Sequence, residues 1–163
     1  MGKYKILLTC YDFGNSKPYL DEVTGVFTTY TRARCEMLHC VLDELESLNG
    51  IMEDDTFPER RFISTMENEH HDVVINAWDG PDYSPVTCYN VMTQANLLKK
   101  LNKMLKERHG YHITVKLKCC IDDNGNTQYY FTSRQYGDGD TFDRAVDAYY
   151  DADDYLCGIG EIY

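Results

Sequence analysis

The chain of 163 residues sets 16 Lys and Arg against 27 Asp and Glu, a formal charge of −11. That balance disfavours nonspecific binding of nucleic acid, which needs a basic surface, and attachment to anionic lipid. With 43% hydrophobic and 13% aromatic residues, the composition excludes a disordered chain, and the length suits a single domain spanning 1–163.

No stretch approaches a membrane span. The apolar run in "MGKYKILLTCYDFG" is too short for a signal peptide and reads better as a strand. Seven cysteines, an odd number, lie scattered at Cys10, Cys35, Cys40, Cys88, Cys119, Cys120 and Cys157. Together these features lead us to expect a reducing, cytoplasmic setting in which most cysteines are buried as small apolar residues.

The first predicted strand is "KYKILLTCYD". A loop, "FGNSKPYLD", leads to a second strand, "EVTGVF". The segment "TTYTRARCEMLHCVLDELESLNG" reads as a helix capped by Thr28 or Thr29 and stopped at Asn49-Gly50. Its expected buried stripe is Tyr30, Ala33, Met37, Leu38, Val41, Leu45 and Leu48. After the polar connection "IMEDDTFPE", "RRFISTM" and "HDVVINAWD" form a hairpin across "ENEH". "GPDYSPVTCY" reads as a loop, with a short strand possible at "VTCY". "NVMTQANLLKKLNKMLKERHG" is a helix ending on Lys, Arg, His and Gly, the usual C-terminal signals. "YHITVKLKCCI" and "TQYYFTSRQY" flank the Asn-Gly turn in "DDNGN", and a last helix runs from about Asp140 to Leu156.

Strand, strand, helix therefore recurs three times. The expected fold class is α+β, with three successive β-β-α units, a mainly antiparallel sheet and helices on one face. Thr29-Tyr30-Thr31-Arg32-Ala33 and Thr141-Phe142-Asp143-Arg144-Ala145 share a pattern at two helix starts. Internal duplication and a shared way of capping a helix explain it equally well.

The last helix carries the most pointed feature. At helical spacing Phe142, Ala145, Val146, Tyr149, Ala152 and Leu156 face the sheet. Asp140, Asp143, Asp147, Asp151 and Asp154 recur on nearly the opposite side, flanked by Tyr150 and Tyr155, with Arg144 the only cation in the run. A solvated face would alternate signs, because like pairs one turn apart lose about 0.2–0.5 kcal/mol. Asp is also a poor helix-interior residue, and Asp151, Asp153 and Asp154 sit near the negative end of the helix dipole. A carboxylate row of this kind suits a basic groove. Each strand of a duplex carries one charge per about 3.4 Å, so the row stands in for part of one strand, extended by acids in "DELE", "MEDD" and "ENEHHD".

Lys99, Lys100, Lys103, Lys106 and Arg108, with Lys116 and Lys118, form the one basic concentration. They serve solubility and the helix end, or else meet the acidic row of a second copy and make a homo-oligomer. Metal chemistry finds only weak support: Cys35 and His39 in "CEMLHC" lie one turn apart without a second ligand pair. "DDNGN" lacks an EF-hand ligand ladder. "EHHD" falls at a turn, and no phosphate loop or nucleophile elbow occurs. The expectation is a non-catalytic acidic module with no cofactor and no metal. Its partner would be a basic protein surface, such as that of a nucleic-acid-binding enzyme inhibited by mimicry of nucleic acid, as anti-defence proteins do. A metal-binding protein or enzyme with a Cys/His site, and a self-assembling structural protein, are the alternatives.

Overall fold

The computed structural model describes residues 3–11, 18–53, 61–66, 72–79 and 82–158. The chain divides into two compact units, one of Met1–Asp21 with Val26–Met92 and one of Glu22–Gly25 with Thr93–Tyr163.

The first unit is built on β1 (Tyr4–Cys10), β2 (Tyr19–Glu22), α1 (Tyr30–Glu53), β3 (Arg61–Met66), β4 (Val73–Asp79) and β5 (Asp82–Thr93). The strands lie in the order β2-β1-β5-β4-β3, with β3 antiparallel to β4 and β4 to β5. The second contains α2 (Gln94–His109), β6 (Lys116–Ile121), β7 (Thr127–Ser133), β8 (Gly137–Asp138) and α3 (Ala145–Gly158). Its antiparallel sheet has the order β6-β7-β8. The class is α+β, and strands followed by a helix do occur three times.

Several boundaries differ from those the sequence suggests. "EVTGVF" is not a strand: β2 lies earlier, Gly25 at φ +115° breaks the extended path, and only Phe27 returns, as an isolated antiparallel bridge to Tyr4. Asn49-Gly50 does not end α1, which runs on to Glu53; one internal Gly costs only about 1 kcal/mol against Ala. The supposed loop around Pro85 is the long strand β5. The β4–β5 register jumps between Ile75 and Asn76, skipping Val86, and the Val86 carbonyl accepts from the Tyr11 amide instead. A bulge is where a strand tolerates proline. The same strand takes Asn90–Thr93 from the predicted second helix, whose true N-cap is Thr93, its hydroxyl accepting from the Asn96 amide.

Elsewhere local chemistry held. In "DDNGN" the Asp122 carboxylate accepts from the amides of Asn124 and Asn126, and Gly125 supplies the positive φ of 82°. Helix α1 buries Ala33, Met37 and Val41, a narrower stripe than expected, since Tyr30 is exposed and Leu38, Leu45 and Leu48 are half-buried. Helix α2 buries Leu97, Leu101 and Leu105.

The internal echo is present, but in a shifted register. Phe27 bridges Tyr4 and Phe142 bridges Tyr129, each antiparallel and each two residues of bend before its helix. The amides of Ala33 and Ala148 then donate to the carbonyls of Thr29 and Arg144, and both alanines are fully buried. Phe27 thus corresponds to Phe142, where the sequence pattern had matched Tyr30 to it.

Phe131 of β7 is buried against both Tyr136, ring centroids 5.8 Å away, and Tyr155 at 5.4 Å. The Gly139 amide donates to the Phe131 carbonyl, and a Cβ on Gly139 would stand 2.6 Å from the Phe131 ring. With aromatic neighbours on it, that ring has little freedom to yield. Gly139→Ala is therefore expected to cost about 1–3 kcal/mol by overpacking. Thermal melting checks this, and an unchanged midpoint would show that the ring moves freely.

Candidate functional site

Because Phe142 belongs to a strand bridge, its amide and carbonyl are held by Tyr129, and α3 starts only at Ala145. Asp140 and Asp143 therefore precede the helix, contrary to the single helical row expected from the sequence. The apolar side is as predicted: Ala145, Val146, Tyr149, Ala152 and Leu156 are buried, and α3 packs on β6 and β7.

The start of α3 is held by three polar groups. Glu22 brings its carboxylate to the Val146 amide at 3.1 Å, capping the helix from far away in sequence. Arg144 grips Asp147 with a forked pair of hydrogen bonds, Nε to Oδ2 at 3.0 Å and Nη2 to Oδ1 at 2.9 Å. Its Nη1 donates to the Glu22 carbonyl at 3.0 Å. Asp143 accepts from the Gln128 side-chain amide at 2.6 Å. Gln128, Asp143, Arg144 and Asp147 border a shallow depression of about 400 Å³ that also includes Thr24 and Thr141. Asp147, in the first turn, sits where the helix dipole favours an acid.

The five acids thus fall into two sets. Asp143 and Asp147 are engaged by Gln128 and Arg144. Asp140, Asp151 and Asp154 share a field instead: partial burial, then the charges of Asp140 and Asp154, push the Asp151 carboxyl up from its ordinary value. Among the described residues no cation pairs with any of the three. The flanking tyrosines differ too. Tyr155 is tied into the Phe131–Tyr136 stack, with Tyr136 5.3 Å away and exposed, while Tyr150 meets Tyr149 edge-on at 5.2 Å.

Asp153 is a correction. The sequence places it among acids disfavoured by the helix dipole, but it is buried and partnered. Its Oδ1 lies 2.6 Å from His109 Nε2 and 3.0 Å from Arg108 Nε. The sequence signal was the basic end of α2, which needed a carboxylate from elsewhere.

The other predicted acids disperse. Glu44 of "DELE" turns inward, accepting hydrogen bonds from the hydroxyls of Thr87 and Tyr89. Burial first, and then that bond to Glu44, push the Tyr89 phenol up from its ordinary value. Asp72 accepts from the Val91 amide at 2.7 Å. Asp54 and Asp55 of "MEDD" and the rest of "ENEHHD", like the side chains of Glu53 and Trp78, lie outside what the structure describes. Lys99, Lys100, Lys103, Arg108, Lys116 and Lys118 are exposed, and Lys106 is half-buried.

The cysteines also depart from expectation. Of seven, only Cys88 is buried; Cys35, Cys119, Cys120 and Cys157 are exposed. Cys35 and His39 line a depression of about 620 Å³ beside the Phe27 bridge. No third ligand joins them among the described residues, where the one three-ligand cluster is His109, Asp153 and Cys157. No described helix is long and apolar enough to cross a membrane. The chain matches no family model, no curated protein and no solved structure, so its function has to be argued from its own residues.

Proposed function

We propose that the acidic face formed by Asp140, Asp151 and Asp154, with Tyr150 and Tyr155 beside it, binds a basic surface on a protein partner. The observation that carries this reading is the gathering of Asp140, Asp151 and Asp154 with no cation paired to any of them among the described residues; burial first, and then the two neighbouring acids, push the Asp151 carboxyl up. Like charges held together lose about 0.2–0.5 kcal/mol per pair in the free protein, and a cationic partner relieves that repulsion. Asp151 and Asp154, three residues apart on α3, are separated by about 4.5 Å along the axis, sparser than the about 3.4 Å charge interval of one nucleic-acid strand but enough to stand in for part of it. A nucleic-acid-handling protein whose groove this face occupies as an inhibitor is the partner class that fits best. Asp143 and Asp147 have a different part: with Gln128, Arg144 and Glu22 they set the start of α3.

The test is capture of partners from a native lysate at graded salt, comparing wild type with Asp140→Asn/Asp151→Asn/Asp154→Asn. Wild type should retain a basic protein that salt releases, that the triple variant retains about tenfold less well, and whose nucleic acid is displaced by wild type. A single lost rim charge slows association, whereas losing three removes the complementarity. Equal capture by both proteins would make the acids an ordinary solvated face.

A further inference from the structure

Away from the acidic face, α2 and α3 bring together three side chains of another chemistry. His109 is the last residue of α2, and Asp153 and Cys157 lie one turn apart on α3. One imidazole nitrogen, one carboxylate oxygen and one sulfur all lie within 4.8 Å of one another. The His109 and Asp153 side chains are only 13% and 10% exposed, whereas Cys157 is open to solvent.

From this arrangement we infer that His109, Asp153 and Cys157 form a binding site for a zinc-class divalent ion, with water completing a tetrahedron. The donor set is the borderline-soft mixture that zinc takes, and three protein ligands with one open position is an established count for it. Bonds of about 2.0–2.3 Å place tetrahedral ligands about 3.4 Å apart. His109 Nε2 and Asp153 Oδ1, now 2.6 Å apart, separate by somewhat under 1 Å to admit the ion. Cys157 can close in from the open helix end. Binding releases the Cys157 thiol proton to solvent and leaves the His109 ring proton on Nδ1, so that Nε2 is free to ligate, and affinity rises with pH.

Arg108 supplies the second line of argument. Its guanidinium donates to Asp153 Oδ1 at 3.0 Å and to Cys157. A cation is therefore already held by two of the three ligands. The Arg108 side chain is 48% exposed, so it can swing outward when a metal replaces it. Once displaced it can hold the other carboxylate oxygen of Asp153, as outer partners of metal ligands commonly do. This site does not depend on the acidic-face reading, since it uses none of Asp140, Asp151 or Asp154.

The experiment is titration of the full-length reduced protein with cobalt(II), followed by competition with zinc. Cobalt reports both a thiolate bond, through a charge-transfer band, and tetrahedral geometry, through intense ligand-field bands. One equivalent should bind with both signatures, and zinc should displace it. Cys157→Ser should abolish the charge-transfer band and weaken binding by more than about 100-fold, because losing even an outer partner of a ligand costs about 10–100-fold. Cys35→Ser, Cys119→Ser and Cys120→Ser should leave the spectrum unchanged. Arg108→Gln should bind several-fold more tightly, which a purely structural arginine would not produce. Absence of a stoichiometric thiolate complex, or a thiolate band that survives Cys157→Ser, overturns the proposal. Circular dichroism of each variant confirms that the fold is retained.

Discussion

Replacing Asn102 with Ala is expected to cost about 2–4 kcal/mol, far more than its half-buried position on α2 suggests. The Asn102 Oδ1 accepts from the Leu117 amide at 2.7 Å, and its Nδ2 donates to the Leu117 carbonyl at 3.3 Å. Leu117 lies on β6, which is an edge of its sheet. One side-chain amide therefore takes the place of a missing strand at that residue. Removing it leaves two main-chain groups of a buried residue without their partner, at about 1–3 kcal/mol each. Asn102→Asp keeps the acceptor and loses the donor, so its loss should be smaller. Denaturant unfolding measures both, and a loss for Asn102→Ala within about 0.5 kcal/mol, the range of ordinary surface changes, would sink the argument. An uncovered edge also invites pairing with other chains, so the variant should aggregate more readily. The flanking Lys116 and Lys118, both exposed, resist that outcome without preventing it.

Glu44→Ala should be comparably costly in the first unit, by about 2–4 kcal/mol. Glu44 receives the hydroxyls of Thr87 and Tyr89, which are 2% and 1% exposed. Truncation strands two hydroxyl groups that water cannot reach, at about 1–3 kcal/mol each, offset in part because a half-buried carboxylate is also removed. Glu44→Gln preserves an acceptor for one hydroxyl and should lose about 1 kcal/mol. Asp43→Ala, exposed on the same helix, should stay within about 0.5 kcal/mol. The contrast between Asp43 and Glu44 is the measurement that matters. If both cost the same, the inward carboxylate has no special place in this core.

What the sequence made legible follows from how far its causes reach. Asp122, Asn124, Gly125 and Asn126 specify their turn among themselves, so the hairpin was readable. The Leu97, Leu101 and Leu105 stripe and the basic end of α2 were equally local. The strand around Pro85 was not, because a bulge absorbs the proline and the pairing partner, at Tyr11, is remote. Likewise the start of α3 depends on Phe142 being claimed by Tyr129, which no helical periodicity reveals. The acids of α3 were readable as a pattern, but their division was not. Gln128, Arg144, Arg108 and His109 decide which carboxylates are engaged, and three of those four come from other elements. Asp153 is the sharpest case: the sequence shows it only as an acid near the unfavourable end of the helix dipole, while in the fold it is buried against α2.

Glu22 has a consequence for the order of events during synthesis. It is made early, yet its carboxylate caps Val146, 124 residues later. The second unit is therefore discontinuous along the chain, and α3 can be fully anchored only after the residues from Glu22 through Val146 have all emerged. Closing so long a loop before its contacts reward it is slow. A fragment beginning at Thr93 would contain all of that unit's own strands and helices, yet it would lack the cap for its last helix and the carbonyl that Arg144 holds.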